Sequence, residues 1–309
     1  MKDLFERVRA EVGQAVVGQD EVLESLMVGL ATRGHVLLEG VPGTAKTLLA
    51  NATARALGVD FARVQFTPDM LPSDLTGTMT LRGGELVFRP GPVFTNFLLA
   101  DEINRTPPKT QAALLEAMQE GQVSIEGDPQ GLPDPFLVVA TQNPIEYEGT
   151  YPLPEAQLDR FLLKVDVGYP AAEDEVRILS LRHRGVRAAE LDEIRPVAGV
   201  EEVARARDEV DATTVSQEIM DYVVGVVRHT RELPSVSLGA SPRAAVHLMT
   251  AAKAAARLSD RDFVVPDDVK RMAVKALSHR LVLSPEAELE RFRPHDAIEN
   301  ALGAVPVPR

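Results

Sequence analysis

The chain has 309 residues, a formal net charge of −13 and no cysteine. This length allows two domains with sizeable cores. The acidic balance argues against non-specific binding of nucleic acid by the whole surface. The lack of cysteine excludes disulfides and thiolate metal sites and fits a reducing cytoplasm. The apolar runs are too short to span a membrane, and the charged start of the chain predicts a helix instead of a signal peptide.

The first half of the chain alternates predicted helices and strands. Helical spacing of apolar residues covers 4–16 and 21–33, with Asp20 as a candidate N-cap. Continuous apolar runs, typical of strands buried on both faces, follow at 36–39, 62–66, 97–100, 136–141 and 162–167. Helices are predicted at 46–57, 108–120 and 155–160. This order predicts a doubly wound α/β domain, with a parallel sheet sandwiched by helices.

The pattern changes around the Gly-Tyr-Pro sequence at 168–170. Beyond Glu173 the sequence predicts no strand, and the tail from Gly303 to Arg309 is expected to be extended. We therefore predict an α/β core over 1–168 and an all-helical domain over 169–309. The helices predicted in the second domain are 174–184, 200–210, 217–231, 242–258, 266–277 and 285–292.

A glycine-rich loop, Gly-Val-Pro-Gly-Thr-Ala-Lys-Thr at 40–47, joins a predicted strand to a predicted helix. Its glycines allow a tight turn whose N–H groups point at phosphates, and the helix adds its positive dipole end. Lys46 places a charge beside the outer phosphates, and the Thr47 hydroxyl can ligate Mg²⁺. The alternative is a plain strand-to-helix turn, but the context favours a nucleoside triphosphate site. The other loop residues expected to line it are Pro42, Gly43, Thr44, Ala45 and Leu48.

Ala45 stands where the loop pattern usually has glycine. A methyl group is tolerated there only if the residue keeps ordinary backbone angles. We therefore expect Ala45 to lie outside the left-handed region.

Three polar residues follow predicted strands of the same sheet. Asp101 and Glu102 come after the run at 97–100, and Asn143 after the run at 136–141. In a phosphate-loop ATPase, Asp101 would hold Mg²⁺ through water and Glu102 would deprotonate the attacking water. Asn143 would contact the γ-phosphate or position that water. The alternatives are a solvated acidic turn and, since proline follows Asn143, ordinary turn chemistry.

Two arginines are candidates for stabilising charge during phosphoryl transfer. Arg160 follows an aspartate and is either an arginine finger or a salt-bridged surface residue. Arg243 lies in a first helical turn, because Ser241-Pro242 is typical of an N-cap and the following position. A cation there opposes the helix dipole, which invites a functional explanation or pairing with an acid.

Together these features resemble the AAA+ ATPases, and more closely their MoxR family. The motifs stand in the family's order: VGQ at 17–19, GVPGTAKT at 40–47, QFTPD at 65–69, LPSD at 71–74, LADEINR at 99–105, TQNP at 141–144, LDRF at 158–161 and SPR at 241–243. MoxR-like proteins often carry alanine at the position of Ala45. The segment at 78–92 resembles the extra hairpin of this clade, and 122–127 resembles its second hairpin.

The resemblance implies an AAA+ core with a helical lid, and ATP with Mg²⁺ as cofactors. It assigns Val17 and Gly18 to the adenine pocket, and gives the polar residues these roles: Asp101 and Glu102 as the Walker B pair, Asn143 as sensor 1, Arg160 as the arginine finger and Arg243 as sensor 2.

The resemblance also implies partners. Similar proteins form homo-oligomeric rings, commonly hexamers, and act as chaperone-like ATPases on client proteins, frequently with von Willebrand factor A domain proteins. Three alternatives stay open: a nucleic-acid-dependent, helicase-like motor, a magnesium-chelatase-type ATPase subunit, and a nucleotide-gated scaffold. Arg82 and Arg89 flank the first hairpin and could touch phosphates. The acidic balance disfavours the motor, and Glu102 disfavours the scaffold.

Overall fold

The computed structural model describes residues 1–143, 150–183 and 190–308. Pro144, Arg184 and Arg309, which belong to predicted segments, lie outside the described residues. The strands are β1 (Val36–Gly40), β2 (Phe61–Gln65), β3 (Gly77–Arg82), β4 (Glu85–Pro90), β5 (Phe97–Asp101), β6 (Gln122–Ile125), β7 (Asp128–Gly131), β8 (Leu137–Gln142), β9 (Leu163–Val167), β10 (Val236–Leu238) and β11 (Val282–Leu283). The α-helices are α1 (Lys2–Val12), α2 (Asp20–Ala31), α3 (Lys46–Ala56), α4 (Pro72–Thr76), α5 (Pro108–Glu120), α6 (Glu155–Leu158), α7 (Ala172–His183), α8 (Val200–Asp211), α9 (Gln217–His229), α10 (Pro242–Leu258), α11 (Pro266–Leu277), α12 (Pro285–Leu289) and α13 (Pro294–Ala304).

The chain forms two compact units that interleave along the sequence. The sheet unit comprises Leu4–Leu153 and Val165–Ala204, and the helical unit comprises Met1–Asp3, Pro154–Lys164 and Arg205–Arg309. The single boundary after residue 168 stays a prediction of domain organisation. In this division, the segment that carries Arg160 is part of the helical unit.

The five-stranded sheet has the order β2-β5-β8-β1-β9, and the pairs β2–β5, β5–β8 and β1–β8 are parallel. Strand β5 is buried along its whole length, as its continuous apolar sequence predicts for a strand covered on both faces. The predicted α/β fold with a parallel sheet is confirmed. The sheet also brings the carboxyl ends of β1, β5 and β8 to one edge, where ligands bind in such folds.

Two hairpins extend the sheet unit. Strands β3 and β4 pair antiparallel, with Arg82 opposite Glu85, and β6 pairs with β7. The hairpin expected at 78–92 is therefore present at Gly77–Pro90, and the one expected at 122–127 reaches Gly131. Glycines with positive φ form both tips: Gly83 and Gly84 in the first, Gly127 in the second.

The helical unit holds both strands that the sequence did not predict. Strands β10 and β11 form a short antiparallel ladder, in which Val236 pairs with Leu283. The expectation of no strand beyond Glu173 was wrong, because runs of two and three residues are too short to show a period. Among the described residues, no helix is long and apolar enough to cross a membrane.

Two local predictions also need correction. The N-cap of α2 is Gln19, and Asp20 is the first helical residue, where its carboxylate favours the helix dipole. Helix α13 was missed, and it includes Gly303, which we expected in an extended tail. The sequence did contain the start signal of this helix, which is Pro294 followed by Asp296. In the structure Pro294 occupies the first turn, and Asp296 accepts a hydrogen bond from the Arg293 N–H at 2.9 Å.

Candidate functional site

The sheet register explains why residues far apart in sequence meet. Glu39 on β1 pairs with Gln142 on β8, and Gln65 on β2 pairs with Asp101 on β5. Each strand therefore ends at the same edge of the sheet, and the polar residue that follows it is delivered there. A cleft of about 430 Å³ lies at this edge. It is lined by the predicted residues Pro42, Gly43, Thr44, Ala45, Lys46, Thr47, Leu48, Asp101, Glu102 and Asn143.

The glycine-rich loop has the shape that phosphate binding needs. Gly43 has φ +85°, and among the described residues no atom beyond its chain neighbours lies within 4 Å of the point where a side chain would stand. This open space fits a phosphate group approached by backbone N–H groups. Thr44 stabilises the loop by donating its hydroxyl to the Val41 carbonyl at 3.1 Å.

Ala45 contradicts our expectation, because it adopts the left-handed conformation with φ +59° and ψ +20°. It is the N-cap residue of α3, so the loop turns at this position before the helix begins. A left-handed alanine costs roughly 1–2 kcal/mol. The loop keeps this strain at the centre of the candidate site, where strained residues concentrate.

Lys46 folds back against the start of its own loop. Its ammonium donates to the carbonyls of Gly40 at 2.6 Å and Val41 at 3.0 Å. Burial lowers the pKa of Lys46, while the charges of Asp101 and Glu102 oppose this shift. Lys46 therefore interacts electrostatically with both carboxylates. A bound phosphate would compete with these carboxylates for the ammonium group of Lys46.

Asp101 has both carboxylate oxygens occupied. Arg63 donates through Nη2 to Oδ2 at 2.7 Å, and the Thr141 hydroxyl donates to Oδ1 at 2.6 Å. Neither partner was predicted, since Arg63 is one arginine among many and Thr141, although part of the TQNP motif, was assigned no role. These bonds fix the carboxylate, and they favour contact with a metal through water instead of directly.

Glu102 also has a left-handed backbone, with φ +58°. Its N–H donates to the Thr141 hydroxyl at 2.8 Å, so this one threonine fixes both acidic residues. The carboxylate oxygen Oε2 accepts a hydrogen bond from Gln65 Nε2 at 2.6 Å and lies 3.0 Å from Arg105 Nε. Gln65 belongs to the QFTPD motif, but nothing in the sequence indicated this contact.

A second cleft, of about 590 Å³, lies in the same unit and includes the predicted residues Val17 and Gly18. Gln19 also lines it, and the Gln19 side chain reaches the Thr44 carbonyl at 3.5 Å. Gly18 has φ +75°, and a methyl group there would meet the Asp174 carboxylate at 2.7 Å. The loop and this cleft are therefore neighbours, as the base and phosphates of one nucleotide require.

Known proteins resemble the chain over its whole length. One family model, the ATPase family associated with various cellular activities (AAA), matches residues 35–163, and another, the AAA lid domain, matches residues 228–301. Chaperone MoxR1 of Mycobacterium tuberculosis is 46% identical over 316 residues, which cover 99% of this chain and 82% of that protein. The chain belongs to the MoxR family of AAA+ ATPases.

Two further relatives agree with this assignment. The uncharacterized protein YeaC of Bacillus subtilis is 46% identical over 299 residues, which cover 96% of this chain and 92% of that protein. A crystal structure from Cytophaga hutchinsonii, described as that of an ATPase candidate, has a TM-score of 0.92 at 42% identity. The match covers 100% of this chain and 96% of the chain from C. hutchinsonii.

In this MoxR-family chain the two predicted arginines belong to the helical unit. Arg243 lies in the first turn of α10, where Ser241 accepts a hydrogen bond from the Ala244 N–H, as the predicted N-cap requires. Arg243 Nη1 lies 3.9 Å from Asp159 Oδ2, so it does have an acidic neighbour. Arg160 follows that aspartate, and its buried Nε has no hydrogen-bond partner among the described residues.

The first cleft fits a magnesium nucleotide better than a free metal ion. Among the described residues, no group of three or more histidines, aspartates or glutamates could hold a metal ion. The half-buried Thr47 hydroxyl could ligate Mg²⁺ directly and the fixed carboxylate of Asp101 could do so through water, and Mg²⁺ commonly completes its shell with phosphates and water.

Proposed function

We propose that this MoxR-family chain binds ATP with Mg²⁺ and hydrolyses it. The observation that carries the proposal is the first cleft, which places the phosphate-binding loop, Lys46, two carboxylates and Asn143 around one space. Loop N–H groups and Lys46 bind the phosphates, and Asn143 orients the water. Glu102 removes the proton from the attacking water. Thr47 and Asp101 would hold Mg²⁺, which neutralises phosphate charge when bound.

We further propose that hydrolysis takes place in a homo-oligomeric ring, with six copies as the expected number. Arg160 of one copy then reaches the γ-phosphate held by its neighbour, and Arg243 responds to the nucleotide in its own copy. The ring remodels client proteins, and proteins with von Willebrand factor A domains are candidate partners. The relative from M. tuberculosis is named a chaperone, which supports this class of function.

Two variants separate binding from chemistry. Lys46→Ala should lose ATP binding, because the phosphates lose their cation. Glu102→Gln should bind ATP normally and fail to hydrolyse it, because only the base is removed. Titration with a fluorescent ATP analogue and a phosphate-release assay measure the two properties. Normal turnover by Glu102→Gln would refute the proposed base.

A mixing experiment tests the action of Arg160 across subunits. Arginine fingers contribute roughly 10³–10⁵ in rate, whereas an exposed salt bridge contributes only about 0–1 kcal/mol. Arg160→Ala should therefore bind ATP and lose nearly all turnover. When it is mixed with Glu102→Gln, some interfaces combine an intact Glu102 with an intact Arg160, so partial activity should return. If subunits exchange and no activity returns, Arg160 does not act in trans.

A further inference from the structure

Arg280 holds the backbone on both sides of Arg160. It ends the short 3₁₀ helix Ser278–Arg280 that follows α11, and it is 5% exposed. Its Nη2 donates to the carbonyl of Asp159 at 3.2 Å and to the carbonyl of Phe161 at 2.5 Å. Its Nη1 donates to the Ala276 carbonyl within α11 at 2.7 Å. One guanidinium therefore joins the end of α11 to the two residues that flank Arg160.

The Asp159 side chain links the same segment to α10. Arg280 Nε lies 3.0 Å from Asp159 Oδ1, and the Ser241 hydroxyl lies 3.1 Å from Oδ2. Ser241 is also the N-cap of α10, whose first turn carries Arg243. Asp159 therefore contacts both the cap of this helix and Arg243 itself. The four residues Asp159, Ser241, Arg243 and Arg280 are called the Asp159 cluster below.

His279 adds a further connection to the same segment. Its Nε2 lies 3.1 Å from the Phe161 carbonyl, so this nitrogen carries the proton and donates it. Arg280 also contacts Nδ1 of His247, a residue of α10. The segment is thus tied to α10 and α11 by side chains that are themselves buried or half-buried.

The geometry depends on an arginine fork instead of a positive charge alone. Burial lowers the pKa of Arg280 to about 10, and Asp159 opposes this shift, so the side chain stays charged at neutral pH. A buried charge is costly unless it is paired and hydrogen-bonded, and Arg280 meets this condition through its ion pair with Asp159 and its bonds to three carbonyls. Lysine would keep the charge, but it could not contact the carboxylate and both carbonyls in this planar geometry.

We propose that Arg280 is a positioning residue for hydrolysis, which fixes the backbone around Arg160 to the helix that carries Arg243. The inference rests on the proposed role of Arg160 as a finger acting in trans. If Arg280 has this role, Arg160 and Arg243 of one copy move together. A change in α10 on nucleotide binding is therefore transmitted to the finger that this copy offers to its neighbour.

The variant Arg280→Lys tests the inference, with Arg261→Lys as its matched control. Arg261 forms a bidentate pair with Asp268 in the same unit, at 2.7 and 2.5 Å. We expect Arg280→Lys to keep the KM for ATP within about two-fold and to lose kcat on the order of 10²-fold, because the finger is misplaced. Arg261→Lys should retain the kcat of the unmodified protein.

Mixing shows which side of the interface is damaged. Arg280→Lys keeps its own Glu102 site, so activity should return when it is mixed with Glu102→Gln, which supplies intact fingers. Activity should not return when it is mixed with Arg160→Ala, because neither variant then offers an intact finger. A purely structural defect would damage both sides and would prevent recovery in the first mixture. If Arg280→Lys does not fold, Asp159→Asn carries the same test.

The outcomes separate this inference from the proposed function. If Arg160→Ala mixed with Glu102→Gln stays inactive despite subunit exchange, the trans finger is wrong, and the role of Arg280 is overturned with it. If that mixture recovers but Arg280→Lys alone keeps full kcat, only the role of Arg280 is overturned. Recovery of the mixture of Arg280→Lys with Arg160→Ala would also overturn it.

Discussion

At the scale of single residues, the contacts of Glu102 decide what must change before it can act as a base. Its Oε2 accepts a hydrogen bond from Gln65 and lies beside Arg105. Hydrogen bonds to charged groups contribute roughly 1.5–3 kcal/mol. Both contacts engage Oε2 and hold the carboxylate in one orientation, so they restrict how Glu102 can approach an attacking water.

We therefore predict that Gln65→Ala raises basal ATP turnover several-fold, because the carboxylate loses one competing donor. The measurement is phosphate release at saturating ATP. Gln130→Ala, a change of the same kind on the second hairpin, serves as the control and should have no effect. Lower turnover in Gln65→Ala would instead mean that the glutamine holds Glu102 in its productive orientation.

Ala45 shows what residue types alone do not reveal. The order of glycines, lysine and threonine was enough to place the loop and its neighbours in one cleft. The backbone of Ala45 was not predictable, because alanine avoids the left-handed region when local preference alone decides. The flanking strand and helix fix the loop more strongly than this preference does. A strained residue of this kind is found from the structure and not from its sequence.

At the scale of elements, the prediction worked for most long segments and failed for short ones, with the 11-residue helix α13 as an exception. Helices α5, α10 and α11 begin and end where the sequence predicted, since apolar spacing and a first-turn proline agree at each. Helix α4 and the ladder of β10 with β11 were missed because these elements have two to five residues and no detectable period. The partners of Asp101 were missed for another reason. Arg63 reaches it across two paired strands, a contact that depends on register.

A buried histidine in the 3₁₀ helix after α11 predicts that the helical unit loses stability in acid. His279 is buried, and its pKa lies well below the ordinary 6.5, first because of burial and then because of the Arg280 charge. Lys164 and His247 add to this shift, while the hydrogen bond to the Phe161 carbonyl opposes it. Protonation would place a second proton on Nδ1, which has no partner among the described residues.

Proton linkage gives the direction in which the stability changes with pH. The unfolded chain binds a proton at His279 before the folded chain does, so stability falls as the pH drops below 6.5. The loss is about 1.4 kcal/mol for each pH unit, down to the folded-state pKa. We predict that His279→Gln, which keeps a donor for Phe161, reduces the drop in Tm between pH 7.5 and 5.5. The exposed His295, replaced by glutamine, serves as the control, and an unchanged drop in His279→Gln would contradict the assignment.

At the scale of the whole molecule, charge separates a protein remodeller from a nucleic-acid motor. The net charge of −13 disfavours the binding of phosphates by the surface as a whole. The candidate contacts for nucleic acid are Arg82 and Arg89, both exposed on the first hairpin. In the hairpin register Arg82 lies opposite Glu85, and Arg89 lies opposite Thr78. Two arginines, one of them opposite a glutamate, are a small basic surface for a protein that would move along DNA.

We therefore predict that long single-stranded or double-stranded DNA neither binds at physiological salt nor stimulates ATP turnover. Fluorescence anisotropy with labelled DNA, repeated at low and physiological salt, measures binding, and phosphate release measures stimulation. A motor would bind at low salt and lose affinity steeply as salt rises, because each phosphate contact releases counterions. Replacement of Arg82 and Arg89 by alanine, compared with the same change at the exposed Arg228 and Arg293, identifies the surface responsible. Several-fold stimulation by DNA that only the hairpin variant loses would favour the helicase-like alternative over client remodelling.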